Sequence, residues 1–142
     1  MRLASFTDYS LRVLIYLAIK EEELSTVAEI ADKYQISRNH LVKVVHNLSV
    51  MEIIKSYKGK GGGIALLVPA DKINIGDLVR KLERDSKLVE CFGSDGSCII
   101  NPTCKLKKAL MQAEQSFYKT LQEYTLADIV SNQTKLAQIL LP

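Results

Sequence analysis

Apolar residues recur at helical spacing along most of this chain, interrupted by one short alternating stretch and one turn-rich stretch. Phe6, Leu11, Leu14, Ile15, Leu17 and Ala18 give a helix over residues 6–20 one broad apolar side. Ser5-Phe-Thr-Asp8 fits a capping box, which would make Asp8 a cap favoured by the positive end of the helix dipole. Arg12 stands one turn later on the same face, placed to pair with Asp8. After a charged connection at 21–24, residues 25–34 predict a short helix with Val27, Ile30 and Ala31 inward. Thr26 and Glu29 supply its capping box. Gln35-Ile36 then lead to a third helix, capped by Ser37 and running to about Leu48. Two short helices joined so tightly form a helix-turn-helix.

On a wheel of about 100° per residue, Leu41, Val44, Val45 and Leu48 share one arc of the third helix, a stripe of ordinary buried width. The opposite face carries Asn39, Lys43 and His46, flanked by His40 and Asn47, and no acid. A solvated face ordinarily mixes signs, so a basic and amide face points to a polyanion. Asn can read adenine, and Lys can contact guanine or phosphate. Residues 53–57 and 64–68 are strand-like and flank Lys58-Gly-Lys-Gly-Gly-Gly63, a hairpin tip. A hairpin after a recognition helix makes a winged helix-turn-helix. Its glycines let the backbone approach a surface closely, with Lys58 and Lys60 placed for phosphate. The alternative of a nucleotide-cradling loop fails, because the Walker pattern and a following helix are both missing.

Ile75, Leu78, Val79 and Leu82 mark a further helix over about 73–84, with a solvated outer side. Leu106, Leu110, Ala113, Phe117, Leu121 and Tyr124 then form a coiled-coil-like seam on a helix over 105–124, which suits a dimer interface. Residues 131–142 are less patterned, although Leu136, Ile139 and Leu140 can dock on the body. The expected fold is mainly α with a small β wing. A winged helix-turn-helix DNA-binding domain spans residues 1–84, a cysteine loop 85–104, and a dimerisation helix with its tail 105–142.

That middle segment holds Cys91-Phe-Gly-Ser-Asp-Gly-Ser-Cys98-Ile-Ile-Asn-Pro-Thr-Cys104, which contains all three cysteines of the 142 residues. Gly93, Asp95, Gly96, Asn101 and Pro102 predict a loop able to converge the thiols. Thiolates suit iron–sulfur clusters, zinc or copper(I). One disulfide plus a free thiol, or three unrelated cysteines, are the other readings. No secretory segment precedes the first helix, and the longest apolar run there, residues 13–19, is too short to span a membrane. A cytoplasmic location is therefore expected, where clustered thiols favour metal or redox chemistry over structural disulfides. Net charge is only +3, but five Lys or Arg and one acid fall between Arg38 and Lys60, which concentrates the basic character on the reading elements. No hydrolytic constellation is visible, since His40 and His46 lie on the DNA-facing helix with no nucleophile beside them in sequence.

Several stretches together resemble the winged-helix iron–sulfur transcription regulators. They are Ser5-Phe-Thr-Asp-Tyr-Ser-Leu-Arg12, Ser37-Arg-Asn-His40, Gly59-Lys-Gly-Gly-Gly-Ile64, the three cysteines and Tyr124-Thr-Leu-Ala-Asp128. The resemblance covers roughly residues 1–130 and is strongest to the nitric-oxide-sensing branch. It implies a homodimer that binds double-stranded operator DNA through Ser37, Arg38, Asn39, His40, Lys43, His46, Lys58 and Lys60. It also implies an iron–sulfur cluster, 4Fe-4S with 2Fe-2S as the alternative, held by Cys91, Cys98, Cys104 and Asp8 of the other subunit. Arg12 then becomes the partner that supports Asp8. A sister branch completes its site with a histidine three residues after the last cysteine, and that position here is Lys107. The six residues between Cys91 and Cys98 are a longer spacing than the family's usual one. The expectation is a repressor of nitric-oxide detoxification genes and not an enzyme. The competing readings are a thiol or zinc sensor on the same scaffold, and an iron–sulfur electron carrier that would have no use for the wing.

Overall fold

The computed structural model describes residues 2–93 and 98–141; the turn formers Asp95 and Gly96 lie outside the described residues. Helix α1 (Ser5–Lys20) is the axis of the molecule. Thr7, Ser10, Val13, Leu14 and Leu17 are fully enclosed along it, with Tyr16 and Ile19 nearly so. Burial on several sides, rather than on one stripe, explains why Val13, Tyr16 and Ile19 join the core while Phe6 is 37% exposed, against its expected inward place.

The expected capping box at the start of α1 does not form. Ala4 is the N-cap residue, Ser5 is already helical, and no side chain of the first turn caps the helix. The cap comes from a distant element instead: the Ala4 N–H donates to the Glu83 carboxylate at 2.8 Å. Asp8 is thereby left to Arg12, whose Nε and Nη2 donate to its two oxygens at 3.1 and 2.9 Å.

Helix α2 (Val27–Tyr34) starts just after the expected cap, Thr26, and Ser25 before it pairs with the wing. The Thr26 hydroxyl accepts the Glu29 N–H at 3.1 Å, which is half of the expected box. The Glu29 carboxylate turns away to accept from the Tyr16 hydroxyl at 3.3 Å and to meet Lys20 at 3.4 Å. Gln35 adopts a left-handed conformation (φ 56, ψ 46), and the Ile36 N–H closes the turn on the Ala31 carbonyl at 2.9 Å. Helix α3 (Arg38–Val50) follows, with Leu41, Val44, Val45 and Leu48 buried as the wheel requires. Ser37 stands at its N-cap, but its hydroxyl makes no capping bond.

Strands β1 (Ile54–Tyr57) and β2 (Gly63–Leu66) form an antiparallel hairpin with Ile54 opposite Leu66 and Tyr57 opposite Gly63. Ile64 also exchanges backbone hydrogen bonds with Ser25, at 2.7 and 3.0 Å, so the wing is tied to the entry of α2. At the tip, Gly59 (φ 92) and Gly61 (φ 80) occupy backbone regions open to glycine.

Helix α4 (Ile75–Leu82) is capped by Asn74, whose side chain accepts the Asp77 N–H at 3.0 Å. Helix α5 (Lys105–Leu121) returns beside it, followed by α6 (Leu126–Ile129) and α7 (Gln133–Leu140). The end of α5 is locked to α4: the Ile75 N–H donates to the Tyr124 carbonyl and the Leu126 N–H to the Ile73 carbonyl, both at 2.9 Å. Gly76 permits this approach, since a Cβ there would collide with Gln122. Leu126 and Leu140 are buried and Leu136 half-buried against the core, whereas Ile139 is 68% exposed and does not dock. Along the expected seam of α5, Phe117 and Leu121 pack partly on their own core, while Leu106 is 66% exposed, Leu110 half-buried and Ala113 exposed. Tyr124 lies beyond the helix end and is exposed.

Candidate DNA-reading face and cysteine site

Ser37, Arg38, Asn39, His40, Lys43 and His46 are all exposed on α3 and its entry, so the structure brings the sequence-selected reading residues onto one element. Arg38 lies 3.7 Å from Asp32, with both side chains largely exposed, an arrangement too loose to hold the guanidinium back from a phosphate. Lys58 and Lys60 are exposed at the wing tip. The Ser49 and Ser56 hydroxyls, 3.5 Å apart, join the last turn of α3 to β1 and set the wing beside the recognition helix. Two features escaped the sequence reading. Val42 is 54% exposed on α3 and offers an apolar surface suited to a thymine methyl. Lys55 reaches over the exposed Tyr57 ring, 5.2 Å from its centroid, and adds a cation to the wing. The signal for Lys55 was present in the charge count, but a strand residue carries no sign of which face it occupies until the register is known.

Cys91 lies half-buried in a 3-10 turn (Glu90–Phe92), and Cys98 is exposed. Cys104 follows a second 3-10 turn (Asn101–Thr103) and is itself the N-cap of α5, its Sγ accepting the Lys107 N–H at 3.3 Å. None of the three is in a disulfide. Lys107 is fixed by donating its Nζ to the Asn101 side-chain oxygen at 2.8 Å. A cavity of about 340 Å³ opens between Cys91, Phe92, Gly93 and the α5 residues Lys107, Met111 and Glu114. The first turn of α5 has no acid but carries Lys105, Lys107 and Lys108. Cations at a helix N-terminus oppose the dipole, so these three lysines concentrate positive charge at this end of α5.

Among the described residues no three Cys, His, Asp or Glu side chains converge within one chain, and Asp8 does not meet the cysteines. Asp8 is instead a half-exposed carboxylate gripped by Arg12. The Arg12 guanidinium also lies over two rings, 5.9 Å from Tyr9 and 5.8 Å from Tyr34. Tyr9 in turn sits 6.2 Å from the ring of His40 on the recognition helix. Tyr34 ends α2, and burial pushes its hydroxyl up to about 12, with Arg12 pulling the other way and Tyr16 adding to the rise. Asp8 is thus linked through one arginine to both helices of the helix-turn-helix.

A wing, a recognition helix with a basic and amide outer face, and the short α4 packed on the longer α5 define a winged-helix DNA-binding transcription regulator. Residues 3–132 match the Rrf2 family, described as iron-dependent transcriptional regulators, and the chain belongs to that family. It is 46% identical to the HTH-type transcriptional regulator NsrR of Oceanobacillus iheyensis over 99% of this chain and 97% of that protein. It is 44% identical to the regulator of the same name from Bacillus subtilis, with the same coverage. Among solved structures, the fold is shared with T. potens IscR (TM-score 0.74, 22% identity, 93% of this chain and 88% of that one). It is also shared with CymR, the global cysteine regulator of B. subtilis (TM-score 0.72, 27% identity, 93% and 98%). These relatives are named as regulators, not enzymes. No helix among the described residues is long and apolar enough to cross a membrane.

Proposed function

We propose that this chain is a cytoplasmic, homodimeric repressor that senses nitric oxide through an iron–sulfur cluster and releases nitric-oxide detoxification genes. The observation that supports the reading is three cysteines outside any disulfide in one short segment, with Cys104 capping the lysine-rich start of α5 and Cys91 lining the cavity beside Lys107. In this reading residues 1–84 bind operator DNA, 85–104 hold the cluster and 105–142 form the dimer. The donor set suits such a cluster: three soft thiols take iron, and the Lys105, Lys107 and Lys108 ammonium groups offset the negative charge of thiolate ligands. Cys91, Cys98 and Cys104 would hold it with Asp8 of the partner subunit; the resemblance to the nitric-oxide-sensing branch favours 4Fe-4S, with 2Fe-2S the alternative. When bound, the group supplies iron open to nitric oxide, with its hard oxygen ligand the weakest of the four.

The rest is done by the chain. Asp8 released from the partner's site remains on Arg12, and Arg12 bears on Tyr9 and Tyr34. A changed Asp8 position therefore reaches His40 and the end of α2, and through them the separation of two reading heads. A coupling of about 1–3 kcal/mol changes DNA affinity by roughly 5- to 150-fold.

Anaerobic purification followed by gel shifts on a palindromic operator, with and without nitric oxide, tests the reading. A brown, iron- and sulfide-containing dimer whose operator complex dissolves on nitric oxide is expected. A colourless, iron-free protein whose DNA binding ignores nitric oxide overturns it. The exposure of Cys98 favours a thiol sensor as the second reading, which such a colourless protein would show by responding to peroxide.

A further inference from the structure

The start of α1 is held from outside the helix. Ala4, with φ −59 and ψ 144, has no side-chain oxygen to cap the first turn. Its N–H donates instead to Glu83 Oε1 at 2.8 Å, across 79 positions of sequence. Glu83 closes the end of α4, its own N–H donating to the Val79 carbonyl at 2.9 Å. It also anchors the next segment, because the Ser86 N–H donates to the Glu83 carbonyl at 2.8 Å. The side chain is only 7% exposed. Burial pushes its carboxyl up, but the Ser86 hydroxyl and the Ala4 N–H, 2.8 Å away, favour the anion and hold it below the ordinary carboxylate value. Glu83 is therefore an anion at neutral pH, set against the positive end of α1.

Position along the chain gives this contact a second meaning. Ala4 lies one helical turn before Asp8, whose N–H donates to the Ala4 carbonyl at 3.0 Å. Ser86 lies five residues before Cys91. We infer that Glu83 is a positioning residue that joins the root of the cysteine loop to the Asp8-bearing turn of α1, so that displacement of the loop is carried into the DNA-binding helices. The inference rests on the cluster reading above. Each α1 is then held at two points, by Asp8 in the partner's site and by Glu83 against its own loop. A mere helix cap would stabilise the fold and leave the response to the cluster unchanged.

The test compares the full-length dimer with its Glu83→Gln, Glu83→Ala and Ala4→Pro variants. Gln keeps an acceptor for the Ala4 amide. Pro deletes only the donor, at a residue whose φ already suits proline. Operator affinity is measured by anaerobic titration with the cluster present and after its removal, with iron and sulfide content determined for each sample. The wild-type ratio should fall within roughly 5- to 150-fold. Glu83→Ala and Ala4→Pro should lower it by roughly threefold or more while cluster content is retained, the Asp8–Arg12 route keeping the rest, and Glu83→Gln should restore most of the loss. A ratio unchanged in Ala4→Pro, or in a folded Glu83→Ala, overturns the inference. If Glu83→Ala fails to fold by circular dichroism, Ala4→Pro alone decides.

A second measurement separates this inference from the cluster reading. Hydrogen–deuterium exchange of residues 4–8 is followed before and after alkylation of the cysteines with iodoacetamide. Alkylation should change exchange there in the wild type and not in Ala4→Pro. An equal change in both overturns the joint. A wild type that never binds iron overturns the cluster reading, and the exchange result then judges the joint alone.

Discussion

Glu83 carries its charge in a setting where burial by itself disfavours an anion. Its folded value nevertheless lies below the ordinary 4.5, because the Ser86 hydroxyl and the Ala4 amide favour the charged form. A depressed folded value means that the stabilisation is fully present above pH 4.5 and is lost as the pH falls through the folded value. Thermal unfolding should accordingly drop in this acid window for the wild type. Glu83→Gln should be less stable at neutral pH and flatter through the same window; an identical pH profile would remove the charge from the account. Asp8 is legible to a different degree. Its residue type and its spacing to Arg12 can be read from the sequence, and the ion pair forms as read. Its release from capping could not be, because the competing cap, Glu83, arrives from 79 positions away.

At the scale of elements, the recognition helix and wing have separable tasks. Replacing Lys58 or Lys60 by alanine should weaken binding to all sequences alike and reduce the salt slope by about one each, read from titrations at several ionic strengths. Asn39→Ala should instead relax preference at one base position by about 1–3 kcal/mol, read by selection on randomised operators. Uniform scaling of affinity by all three would remove Asn39 from the reading face. The buried stripe of α3 was legible because four apolar residues at helical spacing admit one inward orientation. The pairing of Ser25 with Ile64 just before α2 was not, because it joins backbone groups 39 positions apart. Gly76 likewise carries no local mark of its purpose, which is the close approach of Gln122.

For the whole molecule, the proposed dimer places its interface on the first half of α5. Leu106 is 66% exposed and touches little of its own chain. Leu106→Glu should therefore leave the unfolding of the monomer within about 0.5 kcal/mol and weaken dimerisation by about 2 kcal/mol or more. Light scattering over a concentration series reads the second effect. A dimer of undiminished affinity would place the interface elsewhere. Phe117 and Leu121 are poorer probes, since both also contact the core of their own chain.

What the sequence determined by itself is whatever depends on spacing along one element. This covers the helix-turn-helix, the wing with its glycine tip, the exposed basic and amide face of α3, the grouped thiols and the apolar run of α5. Periodicity and turn chemistry act over a few residues, so they are written locally. Only the tertiary structure decided which carboxylate caps α1, that α1 is enclosed on several sides, and that Arg12 also reaches Tyr34 at the end of α2. Those contacts join residues distant in sequence, and their partners are chosen by how the helices pack. A local pattern contains no information about that choice.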